Sequence, residues 1–299
     1  MYLKKRKAST DPRLRSLLQK AVRRGADSVV EATIRNIIAI GDRAWLRSRA
    51  VVITFEESWP LAQSLALTRD QQTKKVALLR VSHSTKQKDA AGLGALAFAF
   101  HEGDQSMLDL VPSEKTLRVV SAGLDRPNAY FDWALSQCPS VESSCVVVTA
   151  REYLSAATWG WDKATILAAA FLAASGGVPA LPLPDPVSSD FPYWVALDKH
   201  TPEGKEALRR VGIKFGIAYR KLIWTGFYCE SATVNALEPS TWFEVERSWR
   251  LRKAGLNMQS ATELWFRVRP ILSAELSAAA ENLRAQVERQ LVGQGNLFT

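Results

Sequence analysis

The sequence has few of the residues from which disulfide-linked and metal-linked folds are built. Its 299 residues include three cysteines and three histidines, and none of them has the paired spacing that is typical of a zinc site. Three thiols cannot all pair with one another, so we expect reduced cysteines and no structural metal. No motif in the chain requires a cofactor, and none is expected.

Long apolar runs are also missing. The alanine-rich stretch from Ala164 to Ala174 is shorter than the roughly 18 uncharged residues that cross a bilayer. Four of the first seven residues are basic, as at the start of a signal peptide, but no apolar segment follows them. The sequence therefore predicts a cytoplasmic protein that does not act on a membrane.

What the chain has in excess is positive charge. It holds 39 basic and 30 acidic residues, and its first 25 residues include nine basic residues and one acid. Aromatic residues stand near the later basic clusters, and this combination is typical of nucleic-acid-binding surfaces. The alternative is a set of solvated helix faces whose tryptophans point into the core. The predicted DNA contacts are Lys4, Lys5, Arg6, Lys7, Arg23, Arg24, Lys86, Lys88, Arg209, Arg210, Lys214 and Arg250.

Apolar residues recur at helical spacing along most of the chain. The first predicted helix begins at Asp11-Pro12, where the carboxylate can cap free N–H groups, and it ends at Gly25. Further helices are predicted at Asp27–Ile40, Asp42–Phe55, Gly92–Phe100, Tyr153–Ser175, Glu203–Trp224, Thr241–Lys253, Ala261–Val268 and from Pro270 onward. Two β-branched stretches, Leu117–Val120 and Cys145–Thr149, are predicted to be extended. The fold class is mainly α, a multi-helix globular bundle with few or no short strands.

The best candidate for a domain boundary is the stretch 176–192, which contains two glycines and five prolines. It separates a basic N-terminal helical domain, residues 1–175, from a C-terminal helical domain, residues 193–292. Residues 293–299 are predicted to be a free tail.

The end of the chain carries two apolar residues beyond the last predicted helix. Gln294, Leu297 and Phe298 have the spacing of the sliding-clamp-binding peptide of bacterial replication and repair proteins, which the tail resembles. This resemblance implies a sliding clamp as a partner. The alternative is a tail that packs on its own domain or has no partner.

A second resemblance covers residues 13–65. Leu-Leu-Gln-Lys-Ala-Val-Arg-Arg-Gly at residues 17–25 and Val-Val-Ile-Thr-Phe-Glu-Glu at residues 51–57 are similar to the C-terminal helical region of clamp-loader-related ATPases of the RarA/MgsA type. In that family the region forms an oligomerising collar, so the resemblance implies a helical scaffold. The phosphate-binding Gly-x-x-x-x-Gly-Lys-Ser/Thr loop is missing from this sequence, which excludes the ATPase activity of that family.

The densest polar cluster is Asp198-Lys199-His200, between the proline-rich loop and a helix that Thr201 could start. A carboxylate, an ammonium and an imidazole can converge at such a junction and perform acid–base chemistry. The alternative is a helix cap, formed by Asp198 or Thr201, with two exposed cations. Glu57 and Asp89 are further candidates for the catalytic carboxylate.

The missing motifs limit the possible DNA chemistry. Polymerases, helicases, most nucleases and zinc deaminases need parts that this sequence does not contain. Hydrolysis of an N-glycosidic bond needs an aromatic pocket for a flipped base and one carboxylate to orient water. By elimination we expect a metal-independent DNA glycosylase of DNA repair or antiviral defence, with Asp198 as the carboxylate and Lys199 or His200 on a phosphate or the abasic product.

Two other functions agree with the same sequence features. One is a non-catalytic scaffold that binds DNA with its basic helices and a sliding clamp with its tail. The other is a toxin or regulator that acts on RNA, since RNA would satisfy the same basic and aromatic surface.

Overall fold

The computed structural model describes residues 11–66, 71–182, 191–234 and 236–292. Within these ranges the secondary structure is helical, apart from two isolated backbone bridges, Ser58 with Gln87 and Lys86 with Leu237. This confirms the predicted mainly α fold class. No helix in the described ranges is both long and apolar enough to cross a membrane.

Ten helices precede the proline-rich loop. They are α1 (Pro12–Arg23), α2 (Asp27–Ala39), α3 (Arg43–Ser58), α4 (Gln63–Ala66), α5 (Gln71–Ser82), α6 (Asp89–His101), α7 (Glu114–Asp125), α8 (Pro127–Gln137), α9 (Val141–Tyr153) and α10 (Gly160–Gly176). The start of α1 agrees with its prediction, because the Asp11 carboxylate accepts a hydrogen bond from the Arg13 backbone N–H at 2.9 Å. The prediction of extended structure at Leu117–Val120 and Cys145–Thr149 is wrong. These stretches lie in α7 and α9, where their buried side chains pack against the core and override the β preference of branched residues.

Four helices follow the loop: α11 (Pro202–Phe215), α12 (Tyr219–Gly226), α13 (Thr241–Lys253) and α14 (Met258–Val292). The predicted helix Glu203–Trp224 is divided, because Gly216 adopts a left-handed conformation, with φ of 63°, and ends α11. In contrast, α14 continues through Pro270, where the sequence predicted a break. Buried apolar residues continue along one side of α14 on both sides of the proline, which favours a single helix; they are Val268, Leu272, Leu276, Leu283 and Val287.

Two large apolar cores hold the helices together. One is centred on α6 and α10 and includes Leu93, Phe131 and Leu167; the other joins α1, α2 and α5 to α11 and α14. Each core contains residues from before and after the stretch 176–192. The two cores therefore do not coincide with the two predicted domains. The predicted domain boundary stays a prediction.

Helix α6 meets the start of α13 at very close range. A Cβ atom added at Gly92 would lie 2.3 Å from the backbone carbonyl carbon of Trp242, so only glycine fits there. The Asp89 carboxylate accepts a hydrogen bond from the Trp242 backbone N–H at 2.7 Å and so fixes the same junction. This contact holds α13, and the side chains that it carries, against the N-terminal helices.

Candidate functional site

A cleft of about 900 Å³ opens where α1, α3, the start of α10, the turn at residues 198–200, α12 and α13 come together. Its volume lies within the range of sites that hold small molecules or single nucleotides. Seven basic residues line it: Arg15, Lys20, Arg23, Arg49, Lys88, Lys199 and Arg250. Six aromatic residues form much of the remaining wall: Trp45, Trp159, Trp161, Trp224, Phe227 and Phe243. The basic and aromatic residues that the sequence placed in separate clusters therefore meet in one cleft.

One face of α1 supplies the polar side of the cleft. Arg15, Ser16, Gln19, Lys20 and Arg23 recur at intervals of three and four residues and all line it. The apolar side chains between them face the second core. The amphipathic pattern of this helix therefore points its apolar side to the core and its charged side to the cleft.

A buried ion triad lies beneath the cleft. The Glu57 carboxylate is fully buried and contacts the guanidinium of Arg23 at 2.6 Å and the ammonium of Lys88 at 2.8 Å. Burial opposes ionisation of Glu57, but the charges of Arg23 and Lys88 outweigh it and hold the pKa of Glu57 well below its ordinary value. Glu57, a predicted catalytic candidate, is therefore saturated by two cations and does not line the cleft.

The Asp198 carboxylate lies in the cleft wall. It forms an ion pair with the Lys20 ammonium at 2.9 Å, and it accepts a hydrogen bond from the His200 backbone N–H at 3.0 Å. Burial opposes its ionisation, but the charge of Lys20 outweighs this effect and lowers the pKa of Asp198. Thr201 caps α11 by accepting a hydrogen bond from the Gly204 backbone N–H. At this turn Thr201 therefore serves as the helix cap, while Asp198 lines the cleft.

Lys199 points into the aromatic side of the cleft. Its Nζ lies 4.1 Å from the ring centroid of Trp224 and 4.4 Å from that of Phe227. Burial is the main cause that lowers the pKa of Lys199 to about 8; the charge of Asp198 opposes this shift, and that of Arg250 adds to it. Among the described residues, no carboxylate forms an ion pair with this ammonium.

His200 completes the turn. Part of its ring is exposed, yet the cleft walls limit the water around it, and this desolvation lowers the pKa of His200 to about 4. The imidazole is therefore neutral at pH 7. The structure brings Asp198, Lys199 and His200 together on one cleft, as the sequence predicted, with an ionised acid, a weakly basic amine and a neutral imidazole side by side.

Arg250 spans the far wall of the cleft. Its guanidinium carbon lies 4.3 Å from the ring centroid of Trp161 and 4.4 Å from that of Trp224, and its Nε donates to the Glu246 carboxylate. The guanidinium is thus held between two indole rings by stacking. Both rings and the cation face the same space as Lys199.

A second acid lines the cleft beside α1. The Glu56 carboxylate accepts hydrogen bonds from Gln19 and Arg49, both at 2.8 Å, and Arg49 also contacts Asp162 at 3.2 Å. Burial raises the pKa of Glu56 above its ordinary value, against the opposite effect of Arg49. Two of the four carboxylates that line the cleft have pKa shifts in opposite directions: the pKa of Asp198 is lowered and that of Glu56 is raised.

Other predicted residues lie away from the cleft or are engaged in packing. Lys86 is fully buried, and its Nζ donates to the backbone carbonyls of Val81, Ser82 and Ser84, so it caps α5 and is not available to DNA. This corrects its prediction as a DNA contact. Asp89 holds the start of α13, as described above, and does not line the cleft. Arg24 contacts the Glu230 carboxylate at 2.7 Å.

The remaining predicted DNA contacts divide into three groups. Arg209, Arg210 and Lys214 are exposed on α11, outside the cleft. Lys4, Lys5, Arg6 and Lys7, together with the tail residues Gln294, Leu297 and Phe298, lie outside the described residues. Arg23, Lys88 and Arg250 are the three predicted DNA contacts that line the cleft.

Sequence reasoning missed several residues of the site. Glu56 was passed over in favour of its neighbour Glu57, although adjacent helical positions differ in direction by about 100° and only one of the two could face a cleft. Lys20 could have been predicted from the sequence, because it lies on the polar face of the amphipathic helix α1. The pairing of Arg49 with Asp162 could not have been predicted, because the two residues are 113 positions apart in the chain.

Comparisons of the chain with protein-family models, with curated proteins and with solved structures gave no match. The resemblance of residues 13–65 to a clamp-loader collar stays a prediction. Within the described ranges, no group of three or more His, Cys, Asp or Glu side chains is arranged to share a metal ion. The chemistry of the cleft therefore has to be derived from its own geometry.

Proposed function

We propose that this protein is a metal-independent DNA glycosylase whose active site is the cleft. One observation carries the proposal: the ionised Asp198 carboxylate lies in a cleft that is lined by both basic and aromatic side chains. A glycosylase needs this combination, because it must bind a polyanion, stack an extruded base and stabilise positive charge on a sugar.

Base binding would use the aromatic wall. A flipped base would stack on rings such as Trp159, which is 73% exposed, or Trp161, while cations at the cleft surface contact the flanking phosphates. Arg15 lies over the Trp45 ring at 4.8 Å and Arg250 lies between two indoles, so both offer a charge beside a stacking face.

Hydrolysis would use two carboxylates of the cleft, Asp198 and Glu56. Asp198 stabilises the positive charge that develops at C1′ as the bond to the base breaks. It also orients the water whose oxygen forms the new bond to C1′, and it accepts the proton that this water loses. Glu56 supplies the proton that the departing base accepts, because its raised pKa keeps a protonated fraction at higher pH than an ordinary carboxyl. The products are the free base and an abasic sugar.

The experiment is an abasic-site assay on plain, damaged and naturally modified phage DNA, with EDTA present and without nucleotide. We expect alkali-labile sites in at least one DNA. We expect Asp198→Asn to abolish them, a loss of about 100-fold or more, while gel retardation persists. The substrate that reacts separates host repair from defence against phage.

Glu203→Gln is the matched control. It removes a nearby carboxylate at the start of α11 that does not line the cleft and contacts Arg13 at 3.6 Å. This variant should retain full activity and the wild-type thermal transition. A fully active Asp198→Asn protein, or abasic sites that appear only with added metal, would contradict the proposal.

A sliding clamp is proposed as a partner on the sequence of the tail alone. Gln294, Leu297 and Phe298 support it by their spacing. Replacing Leu297 and Phe298 with alanine should abolish clamp binding and leave DNA binding intact, measured by surface plasmon resonance on immobilised clamp. Salt-sensitive DNA binding and clamp binding without any abasic product would favour the non-catalytic scaffold.

A further inference from the structure

Lys199 differs from the other basic residues of the cleft in what it contacts. Lys20, Arg23, Arg49 and Lys88 each form an ion pair with a carboxylate, at distances from 2.6 to 3.2 Å. The Nζ of Lys199 instead faces two aromatic rings. A carboxylate in ion-pair contact favours the protonated amine, and Lys199 has ring contacts in place of such an ion pair.

The surroundings of Lys199 also favour the neutral amine. It shares the Trp224 ring with the Arg250 guanidinium, which lies 4.4 Å from the same centroid, so a second cation stands close by. A lysine that is desolvated against apolar groups and placed near another cation is the environment that activates an amine as a nucleophile. With a pKa of about 8, a substantial fraction of the Lys199 side chain is neutral in mildly alkaline buffer.

The chain position of Lys199 links this amine to the proposed reaction. Asp198, the preceding residue, would stabilise charge at the sugar C1′, and both residues line the same cleft. After the base leaves, C1′ becomes the aldehyde carbon of the ring-opened abasic sugar. An aldehyde beside a neutral amine condenses readily.

We propose that Lys199 captures the abasic product by forming an imine with its C1′ aldehyde. The amine nitrogen bonds to C1′, the aldehyde oxygen takes up protons and leaves as water, and a protonated imine remains. The ring faces of Trp224 and Phe227 and the Asp198 carboxylate stabilise that positive charge. This inference rests on the proposed function, because it takes the same cleft as the sugar-binding site.

The test uses DNA in which a single abasic site has been prepared in advance, so that base removal by this protein is not needed. The full-length protein is mixed with this DNA and borohydride, which reduces an imine to a stable amine. We expect a covalent protein–DNA adduct, with the modified peptide containing Lys199. The rate of adduct formation should rise between pH 6.5 and 8.5.

Lys199→Arg keeps the positive charge against the two rings and removes the primary amine. We expect it to slow adduct formation by at least about tenfold, with an unchanged thermal transition. Lys205→Met is the matched control, because Lys205 is an exposed lysine six positions along the chain, outside the cleft lining. It should form the adduct at the wild-type rate.

Two results would overturn the inference: an adduct that maps to another lysine, or one that forms equally fast in Lys199→Arg. Its failure is distinguishable from failure of the proposed function. If the protein produces abasic sites from intact DNA but forms no Lys199 adduct, the glycosylase proposal is supported and the imine proposal is contradicted. If it forms the adduct on prepared abasic DNA but removes no base, the imine proposal is supported and the glycosylase proposal is contradicted.

Discussion

The cleft contains two kinds of basic residue, and they differ in what balances their charge. Beneath the cleft, Arg23 and Lys88 share the buried carboxylate of Glu57. On the wall, Lys199 contacts the rings of Trp224 and Phe227. A buried charge without its counter-ion is costly, whereas a cation on aromatic faces keeps part of its stabilisation through the ring quadrupole. Glu57 therefore neutralises buried charge within the fold, whereas Lys199 on the wall has no ion-pair partner among the described residues and is available for chemistry.

The largest expected effect comes from breaking the triad. Glu57→Gln leaves Arg23 and Lys88 buried without a counter-charge, which should lower the free energy of unfolding by about 3–5 kcal/mol. Urea unfolding measures this change. Glu288→Gln is the control, because its pairing with Arg284 lies at the surface, where solvent screens the charges and the pair adds little stability.

The same triad predicts acid sensitivity. The pKa of Glu57 is lower in the folded protein than its ordinary value of 4.5, so the unfolded chain binds protons more readily. The stability from this group is therefore present above pH 4.5 and is lost as the pH falls further. A wild-type protein and a Glu57→Gln variant with equal stability at pH 7 would contradict the role of the triad.

The second prediction compares two lysines of the cleft directly. Lys88→Met removes one of the two cations on Glu57 and should cost about 2 kcal/mol or more, since a buried carboxylate loses a partner. Lys199→Met should change stability by less than about 1 kcal/mol, because the lost contact with the rings is offset by the relief of a desolvated charge. Thermal and urea unfolding of both variants would show the difference. Equal destabilisation would mean that Lys199 is a structural residue too.

A separate prediction concerns how the stability changes with pH because of Lys199. Its pKa falls from an ordinary 10.5 to about 8 in the folded protein, so between pH 8 and 10.5 the unfolded chain holds more protons. Stability should therefore rise with pH in this window, relative to Lys199→Met, and the difference should be constant below pH 8. Urea unfolding of both proteins at pH 7.5 and 9.5 tests it. A difference that is unchanged between the two pH values would exclude a lowered pKa.

Much of the local structure of this protein, and part of its candidate site, could be predicted from the sequence. The apolar spacing in α1 and the Asp11-Pro12 start predicted a helix that the structure confirms. The adjacency of Asp198, Lys199 and His200 predicted a polar turn at a helix junction, and all three side chains line the cleft. These features depend on neighbouring residues, which the sequence displays directly.

What the sequence could not supply depends on contacts between distant positions. Lys86 and Lys88 are equivalent in the sequence, where both were predicted to contact DNA. In the structure the Lys86 ammonium caps α5, whereas the Lys88 ammonium binds Glu57. The end of α11 was missed because Gly216, a permitted helix residue, acts as its cap only when the following chain turns away. The partner of each charge is fixed by tertiary packing, and periodicity contains no information about it.

The position of α1 also has a consequence for how the protein folds. Side chains of α1 and of its C-cap residue Arg24 contact Asp198, Ser231 and Glu230, between 178 and 208 residues further along the chain. Pairings at such separation slow folding, because a large chain loop must close before the contacts form. During synthesis α1 must therefore wait for the segment that carries Asp198 and Ser231 before these contacts can form. The cleft is completed late, because Phe243, Glu246 and Arg250 of α13 also line it and follow these contact residues in the chain.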